Sequence, residues 1–390
     1  MLSLVEQDIL DHASGILNQL MLSRQLGQEP HPHADKQRTE AHELPSFGHV
    51  DDLEGAVVLL TGATSGIGEQ LAWRLAREPL AALLLTGRRA EVLRGLRREL
   101  QGAFPGLEVE TFACDLGERE GAAQLFQAVQ AAGFRPTVLI PNAGIGYAGG
   151  FLDAGAEHYR NLIELNNRAV VDLTYAFLPD ILTARDRGGI LFVASTSCYA
   201  PCPLFTVYAA SKAFIRHFAE GLAQECRPAG TSVVCVTPGG CRSTGFDGAA
   251  GMKVTGLGLT LGPVTIPYPT EDAAGVARAS VAALKGSARW RNVWPSVTVY
   301  TSRLQQLLMT LSCLLLPRWF LATLQGRTMR NSLPPEKRAS LIGGRAWAPP
   351  RDGVHFARAE PRAAVAARGG RGSASAAVYS SSDPSLLLQS

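Results

Sequence analysis

The sequence predicts an α/β chain built on a doubly wound parallel sheet. Short apolar runs alternate with helical stretches from Val57 onward, a glycine-rich turn follows the first run directly, and 46% of the 390 residues are hydrophobic against 18% charged. That balance is the one a core-forming globular protein needs. The runs read "AVVLLT", "AALLLTG", "VETFACD", "TVLIPNAG", "GGILFVAS" and "TSVVCVTPGG". Strands this apolar are buried on both faces, and between them lie helical segments such as "EQLAWRLAREPL" and "AEVLRGLRRELQGAF", the pattern of successive βαβ units. In such a sheet the ligand crevice lies outside the carboxyl ends of the strands, so the residues just after each run carry the chemistry.

Residues 1–50 precede this core as an amphipathic helix, "MLSLVEQDILDHASGILNQLMLSR", and a polar linker containing His31 and His33. The helix has acidic residues in its apolar pattern and no basic leader, unlike a secretory signal or a transit peptide. The two histidines lack companion ligands, and no metal site is expected. A net charge of +3 is too small for this length to point to nucleic acid. Seven scattered cysteines without C-x-x-C spacing point to a reducing compartment rather than a disulfide framework.

The first strand runs into "TGATSGIGEQ", in which Gly62, Gly66 and Gly68 stand before a helix, with Thr64, Ser65 and Ile67 between them. Glycines there allow a tight turn and let a pyrophosphate approach backbone N–H groups at a helix N-terminus. A dinucleotide fold that prefers NAD places an acid at the end of the next strand, whereas this chain has Thr86, Gly87, Arg88 and Arg89. A guanidinium at Arg88 would pair with a 2′-phosphate, so NADP(H) is the expected cofactor. The alternative is a solvated residue at a helix start. Asp115, ending the third strand, is placed to accept from an adenine amino group or to cap the following helix. Asn142, Ala143 and Gly144 follow the fourth strand, where small residues would let backbone lie against a ribose.

Ser195 ends "ILFVAS", and "YAASK" places Tyr208 and Lys212 at i and i+4 on one helix face. A cation beside a phenol is expected to lower its pKa from about 10 by stabilising phenolate. Asn166 lies in the helical segment "LIELNNRAVVDLTYAFLP", with Asn167 beside it as a register ambiguity.

Together these motifs resemble the short-chain dehydrogenase/reductase family: T-G-x-x-x-G-x-G, N-A-G, a helical Asn, Ser, Y-x-x-x-K and P-G, from about Val57 to Thr244. The resemblance implies a Rossmann-type core and hydride transfer between NADP(H) and a carbonyl or alcohol. It assigns Tyr208 as general acid/base, Lys212 as its tuner and ribose partner, Ser195 as the carbonyl-orienting hydroxyl, and Asn166 as holder of a proton-relay water. Pro238 and Gly239 fall in the cofactor's P-G element, and Ser243 or Thr244 would meet the carboxamide, Ser243 being favoured by spacing. The usual asparagine pair before Ala-Gly is here Pro141-Asn142. A looser resemblance, through "TEDAAGVARASVAAL", "WPSVTVY" and "LLPRW", is to the ketoacyl and hydroxysteroid reductase-like, membrane-associated subgroup.

The core is thus expected over 51–300, with a glycine-rich segment at about 245–270 as a mobile substrate lid or a surface insertion. Cys198, Tyr199 and Phe205 are the expected pocket-facing residues, suiting a hydrophobic carbonyl substrate. Residues 301–333 form an apolar helical segment whose uncharged "LQQLLMTLSCLLLP" is too short to span a bilayer. It would serve as a subunit interface or as a peripheral membrane anchor through 304–325. Residues 334–390 read as a disordered tail. A homo-oligomer, in the cytoplasm or on the cytosolic face of a membrane, completes the expectation. The remaining alternative is a catalytically silent nucleotide-binding or membrane-surface scaffold protein.

Overall fold

The computed structural model describes residues 52–184, 188–242, 245–252, 258–261, 264–267, 270–286, 298–301, 313 and 315–342. The predicted N-terminal helix and linker, most of 304–317, Ser243 and Thr244 lie outside the described residues. The chain divides into one unit over Met1–Leu341 and a second over Ile342–Ser390.

All six predicted strands are present: β1 (Val57–Thr61), β2 (Ala82–Gly87), β3 (Glu108–Ala113), β4 (Val138–Ile140), β5 (Gly189–Val193) and β6 (Ser232–Thr237). Two-residue β7 (Cys241–Arg242) and β10 (Glu271–Asp272) pair with each other, β8 (Gly258–Leu261) and β9 (Val264–Pro267) form an antiparallel hairpin, and β11 (Thr298–Tyr300) is a seventh strand of the main sheet. That sheet is parallel throughout, in the order β11-β6-β5-β4-β1-β2-β3. Strand order reverses between β1 and β4, which places the ligand crevice at their carboxyl ends.

The helices are α1 (Gly66–Leu75), α2 (Ala90–Ala103), α3 (Gly121–Ala131), α4 (Ala156–Ile163), α5 (Ala169–Thr183), α6 (Thr206–Cys226), α7 (Phe246–Ala250), α8 (Ala273–Leu284), α9 (Arg318–Ser332) and α10 (Pro335–Ile342). Alternation along each strand divides the core in two. Val58, Leu60, Leu83, Leu85 and Ile140 pack with Leu71 and Leu75 of α1, Leu93 and Leu100 of α2 and Val281 of α8. Leu59, Leu84, Leu139, Ile190 and Phe192 pack on the other face with Leu125 of α3, Phe177 of α5 and Ile215 of α6. Each such fully buried side chain contributes about 1.5–3 kcal/mol, and this double cover is why β1, β2, β4, β5 and β6 carry no polar alternation, while edge strand β3 retains Glu108, Glu110 and Thr111.

Two sequence expectations change. The 245–270 segment, read without clear periodicity as a mobile substrate lid or a surface insertion, contains regular structure: α7 and the β8/β9 hairpin. The structured chain also continues past 334, since α10 occupies the start of the expected disordered tail. Among the described residues no helix is long and apolar enough to cross a membrane.

Candidate active site

At the end of β1 the chain turns sharply, with Gly62 at φ +68° and Gly66 at φ +59°. Both values lie in the left-handed region that glycine tolerates without cost. Space also demands glycine: a Cβ on Gly62 would lie 2.8 Å from Ala143 Cα, and one on Gly68 would collide with the Gly62 carbonyl. Ser65, the N-cap of α1, makes no side-chain cap, so it does not take up the N–H groups of the first turn, among them those of Ile67 and Gly68. A bare helix N-terminus on a glycine floor suits a diphosphate.

The N-A-G residues are stitched to this turn. The Thr61 hydroxyl accepts from the backbone N–H groups of Asn142 and Ala143, both at 3.0 Å, while Asn142 Nδ2 donates to the Thr61 carbonyl at 2.9 Å. Asn142 is therefore held by β1 itself. The Arg88 guanidinium, two-thirds exposed, lies 3.7 Å from the Asp115 carboxylate. Asp115 Oδ1 accepts from Gly117 N at 2.9 Å; it closes a tight turn rather than capping a helix, because α3 starts only at Gly121. Arg89, which the sequence reading passed over, donates from Nη2 to Thr64 Oγ1 at 2.8 Å and to the Thr64 carbonyl at 3.0 Å. Two guanidinium groups thus flank the glycine turn, and the second pins its rim.

The other expected residues converge next to Gly144. A Cβ there would meet Asn166 Oδ1 at 3.1 Å and Lys212 Nζ at 3.6 Å. Asn166 sits in a widened π-helical turn, Glu164–Arg168, between α4 and α5, a distortion frequent at functional sites. It is 1% exposed; Oδ1 accepts from Ile145 N at 2.9 Å, and Nδ2 donates to the Ile145 carbonyl and to Ser211 Oγ. Asn167 donates instead to the Ser211 carbonyl, so the register ambiguity resolves into two fasteners of α6. Ser211, itself within "YAASK", donates to the Tyr208 carbonyl at 2.7 Å; its place inside the motif was the available signal, and the reading missed it. Arg168 ion-pairs with Glu164 and Asp172 and donates to the carbonyls of Glu118 and Arg119, tying the widened turn to the loop after Asp115.

Ser195 follows β5 and caps a short 3₁₀ turn over Thr196–Cys198, its Oγ accepting from Ser197 N at 3.2 Å. Its side chain also hydrogen-bonds the Tyr208 phenol. Lys212 Nζ donates to the Val193 carbonyl at 2.8 Å and lies 5.7 Å from the Tyr208 ring centroid. Pro238 accepts from Thr196 N, and Gly239 N donates to Glu271 Oε1 at 3.3 Å, which holds the end of β6 against β5.

The electrostatics overturn one expectation. Burial pushes the Tyr208 phenol upward from its usual value, the Ser195 hydrogen bond opposing this and the Cys198 and Cys202 thiols adding to it. Lys212 does not lower it: burial pulls the ammonium itself down to about 8. Helix geometry puts the two on one face, but the ammonium is directed at a strand carbonyl, and enclosure outweighs attraction.

Beyond the phenol the surroundings are apolar. Phe205 stacks on Tyr208 at 4.2 Å between centroids and Phe246 of α7 tilts against it at 5.4 Å. Ala148, Cys202, Ala250, Met252 and, from α9 and its end, Met329 and Leu333 join the same cluster. Leu204, between Pro203 and Phe205, holds φ +66°, a strained non-glycine conformation of the kind that gathers at active sites. Tyr199 does not face this cluster: its ring carries the Arg216 guanidinium at 4.4 Å, and its hydroxyl reaches Thr237 Oγ1 at 3.4 Å. Cys198 is buried, and burial raises its thiol to about 12.

A parallel sheet with a glycine turn at its switch point, and a Ser, Tyr and Lys gathered beside it, defines a nucleotide-dependent oxidoreductase of the α/β class. The family model for short chain dehydrogenases matches residues 56–253, and the chain belongs to that family. It is 33% identical over 187 residues to a sulfoacetaldehyde reductase of Chromohalobacter salexigens, covering 47% of this chain and 71% of that protein. It is 34% identical over 190 residues to a very-long-chain 3-oxoacyl-CoA reductase of Anas platyrhynchos, covering 47% of this chain and 59% of the reductase. Among solved structures, a short-chain dehydrogenase from Sphingobium yanoikuyae in complex with NADPH aligns with TM-score 0.53 and 29% identity over 65% of this chain and 95% of that one. An alcohol dehydrogenase from the archaeon Thermococcus sibiricus, complexed with 5-hydroxy-NADP, aligns with TM-score 0.50 and 25% identity over 59% of this chain and 90% of that one.

Proposed function

We propose that this short-chain dehydrogenase interconverts a carbonyl and an alcohol on a hydrophobic substrate, using NADP(H). The observation that carries the reading is the convergence of Ser195, Tyr208, Lys212 and Asn166 within one buried network. That network is bordered on one side by the glycine turn and on the other by the apolar cluster. The turn fits a dinucleotide because Gly62 and Gly68 pack directly on backbone and Asn142, which leaves the first turn of α1 without covering side chains, and Arg88 stands at the end of β2, where a 2′-phosphate is held. Gly62, Thr64, Ser65, Gly66, Ile67 and Gly68 would hold the diphosphate, Asn142 to Gly144 and Lys212 the nicotinamide ribose, and Arg88 with Arg89 the 2′-phosphate. When bound, NADPH supplies the hydride.

The chain's own residues supply the proton and its control. Ser195 Oγ donates to the carbonyl oxygen and fixes its position beside the phenol. Tyr208 Oη delivers the proton to that oxygen as negative charge grows on it. Burial keeps the phenol neutral, so it holds the proton that reduction requires. Lys212 Nζ would exchange its Val193 partner for a ribose hydroxyl, and Asn166 fixes the backbone at Ile145.

The test is a fluorescence titration with NADPH and NADH. Wild type is expected to prefer NADPH, and Arg88→Ala to weaken NADPH about 10-fold or more, as the loss of a charge-assisted contact implies, with NADH unchanged. Binding of neither nucleotide would sink the reading in favour of a scaffold that has kept the fold alone.

Membrane contact through 304–325 is proposed on the exposure of Leu315, Trp319 and Phe320 beside Arg318, the composition of an interfacial anchor. Flotation with anionic liposomes should fail for Trp319→Ser/Phe320→Ser if this holds. A second copy of the chain is the proposed cover for exposed Ile163, Tyr175 and Phe214, and a monomer in sedimentation would exclude it.

A further inference from the structure

The apolar cluster around Tyr208 draws on three residues from outside the family match, which ends at 253: buried Met329 and Leu333, and partly buried Leu341 of α10. Met329 is 3% exposed and Leu333 1%, and both pack with Phe205, Tyr208 and Met252. What keeps α9 and α10 there is not apolar contact alone. Lys337 of α10 reaches back across the chain, and its Nζ donates to the Ala148 carbonyl at 2.9 Å. The same ammonium lies 4.4 Å from the Tyr147 ring centroid, within the range of a cation–π contact. On its other side stands Gly251, at φ +72°, where an added Cβ would collide with Nζ. Ala148 N in turn donates to the Ala250 carbonyl at 2.8 Å, and Gly149 N to the Leu204 carbonyl at 2.8 Å. One ammonium therefore meets two loops, 147–149 and 250–251, that both adjoin the catalytic tyrosine. Arg338 Nε, donating to the Leu333 carbonyl at 2.9 Å, holds α10 to the end of α9.

We propose that Lys337 is a positioning residue that latches α9 and α10 onto the substrate side of the site, so that Met329 and Leu333 set the size of apolar carbonyl compound accepted. This rests on the carbonyl reductase reading for its kinetic consequence, though not for the latch itself. Long-range placement of a wall by a single ammonium makes the wall adjustable: the contact breaks without disturbing the sheet. A latch of this kind acts on substrate affinity rather than on proton delivery, because neither Tyr208 nor Ser195 touches Lys337.

The experiment compares wild type with Lys337→Met, Lys337→Arg, Gly251→Ala and the Lys337→Met/Gly251→Ala double variant. Kinetics use NADPH with a series of alkyl ketones of increasing chain length. Lys337→Met is expected to raise KM for the longer ketones about 10-fold, in the range of coupling between contacting residues, with kcat within about twofold and the NADPH Kd unchanged. Lys337→Arg keeps a cation over Tyr147 and should recover most of the KM. Gly251→Ala should reproduce the Lys337→Met effect, with the double variant no worse than either.

Hydrogen exchange provides the arm that does not need turnover. Lys337→Met should speed exchange over 335–342 and 246–250 while leaving β1, β2 and β4 at wild-type rates. Wild type that binds NADPH but turns over no ketone would refute the carbonyl reading, while local exchange would still decide the latch. Unchanged exchange at 335–342 in Lys337→Met would overturn the proposal. So would a uniform rise across the sheet, or a fall in kcat with KM constant, since either would make Lys337 an ordinary structural contact.

Discussion

At the nucleotide end of the sheet, the turn after β1 meets its neighbours through backbone: Gly62 against Ala143, Gly68 against Gly62, Asn142 on the Thr61 carbonyl. At the substrate end, Tyr208 is enclosed by side chains drawn from α6, α7, the 145–149 loop and α9. The first region tolerates almost no added atom and takes its shape from residues a few positions apart or on adjacent strands. The second is shaped by volume, and its pieces are separated by more than a hundred residues. A site that must fit an invariant dinucleotide can be built from rigid local rules, whereas one that must fit a particular substrate is better built from parts that vary independently.

If that contrast is right, damage at the two ends should differ in kind. The largest effect is expected at the junction: Tyr208→Phe keeps the stacked ring but removes the proton donor, and kcat/KM for ketone reduction should fall about 10²–10⁴-fold with NADPH affinity unchanged. A loss of NADPH binding in this variant would show that the two ends are not separable.

Lys212→Met should separate stability from activity. Its ammonium sits at about 8 in the fold against 10.5 outside it, so the folded state binds fewer protons between those values. Stability referable to this group is therefore present above 10.5 and lost as pH falls through 8, a penalty of about 3 kcal/mol at pH 7. The orphaned Val193 carbonyl returns about 1 kcal/mol or more of that. Lys212→Met should thus unfold at higher urea than wild type at pH 7, by about 1–2 kcal/mol. The advantage should vanish by pH 10.5, and activity should be lost at every pH. Equal stability at pH 7 would mean that the ammonium is better compensated than its single Val193 bond suggests.

At the nucleotide end, Gly62→Ala forces φ +68° on an alanine and a Cβ against Ala143. A cost of about 1–3 kcal/mol should accompany a loss of nucleotide binding measured by titration. Full affinity in this variant would show that the turn yields more readily than its contacts imply.

The proposed catalytic residues and the glycine turn were legible because each is a short pattern in a fixed relation to a strand end or helix face: Ser195 follows β5, Gly62 follows β1, Tyr208 and Lys212 share a helix face. Arg89, Ser211 and Thr61 were harder to see, although each neighbours a motif residue, because what distinguishes them is a hydrogen-bond partner 3 to 82 positions away. Met329, Leu333 and Lys337 carried no signal at all. Met329 and Leu333 lie in the stretch read as an apolar helical segment and Lys337 in the one read as a disordered tail, and nothing in either says which face meets Tyr208.

The sequence by itself determined the parallel α/β core, the order of its strands and helices, and the family's reactive groups. Those depend on continuous apolar runs alternating with helical stretches and on glycine's freedom at a turn, which are local properties of the chain. Tertiary structure alone decided that the Tyr208 phenol is raised rather than lowered, that Tyr199 pairs with Arg216, and that Met329 and Leu333 join the apolar cluster around Tyr208. Burial and enclosure decide all three, and both are sums over residues distant in the chain, so no window of sequence contains them.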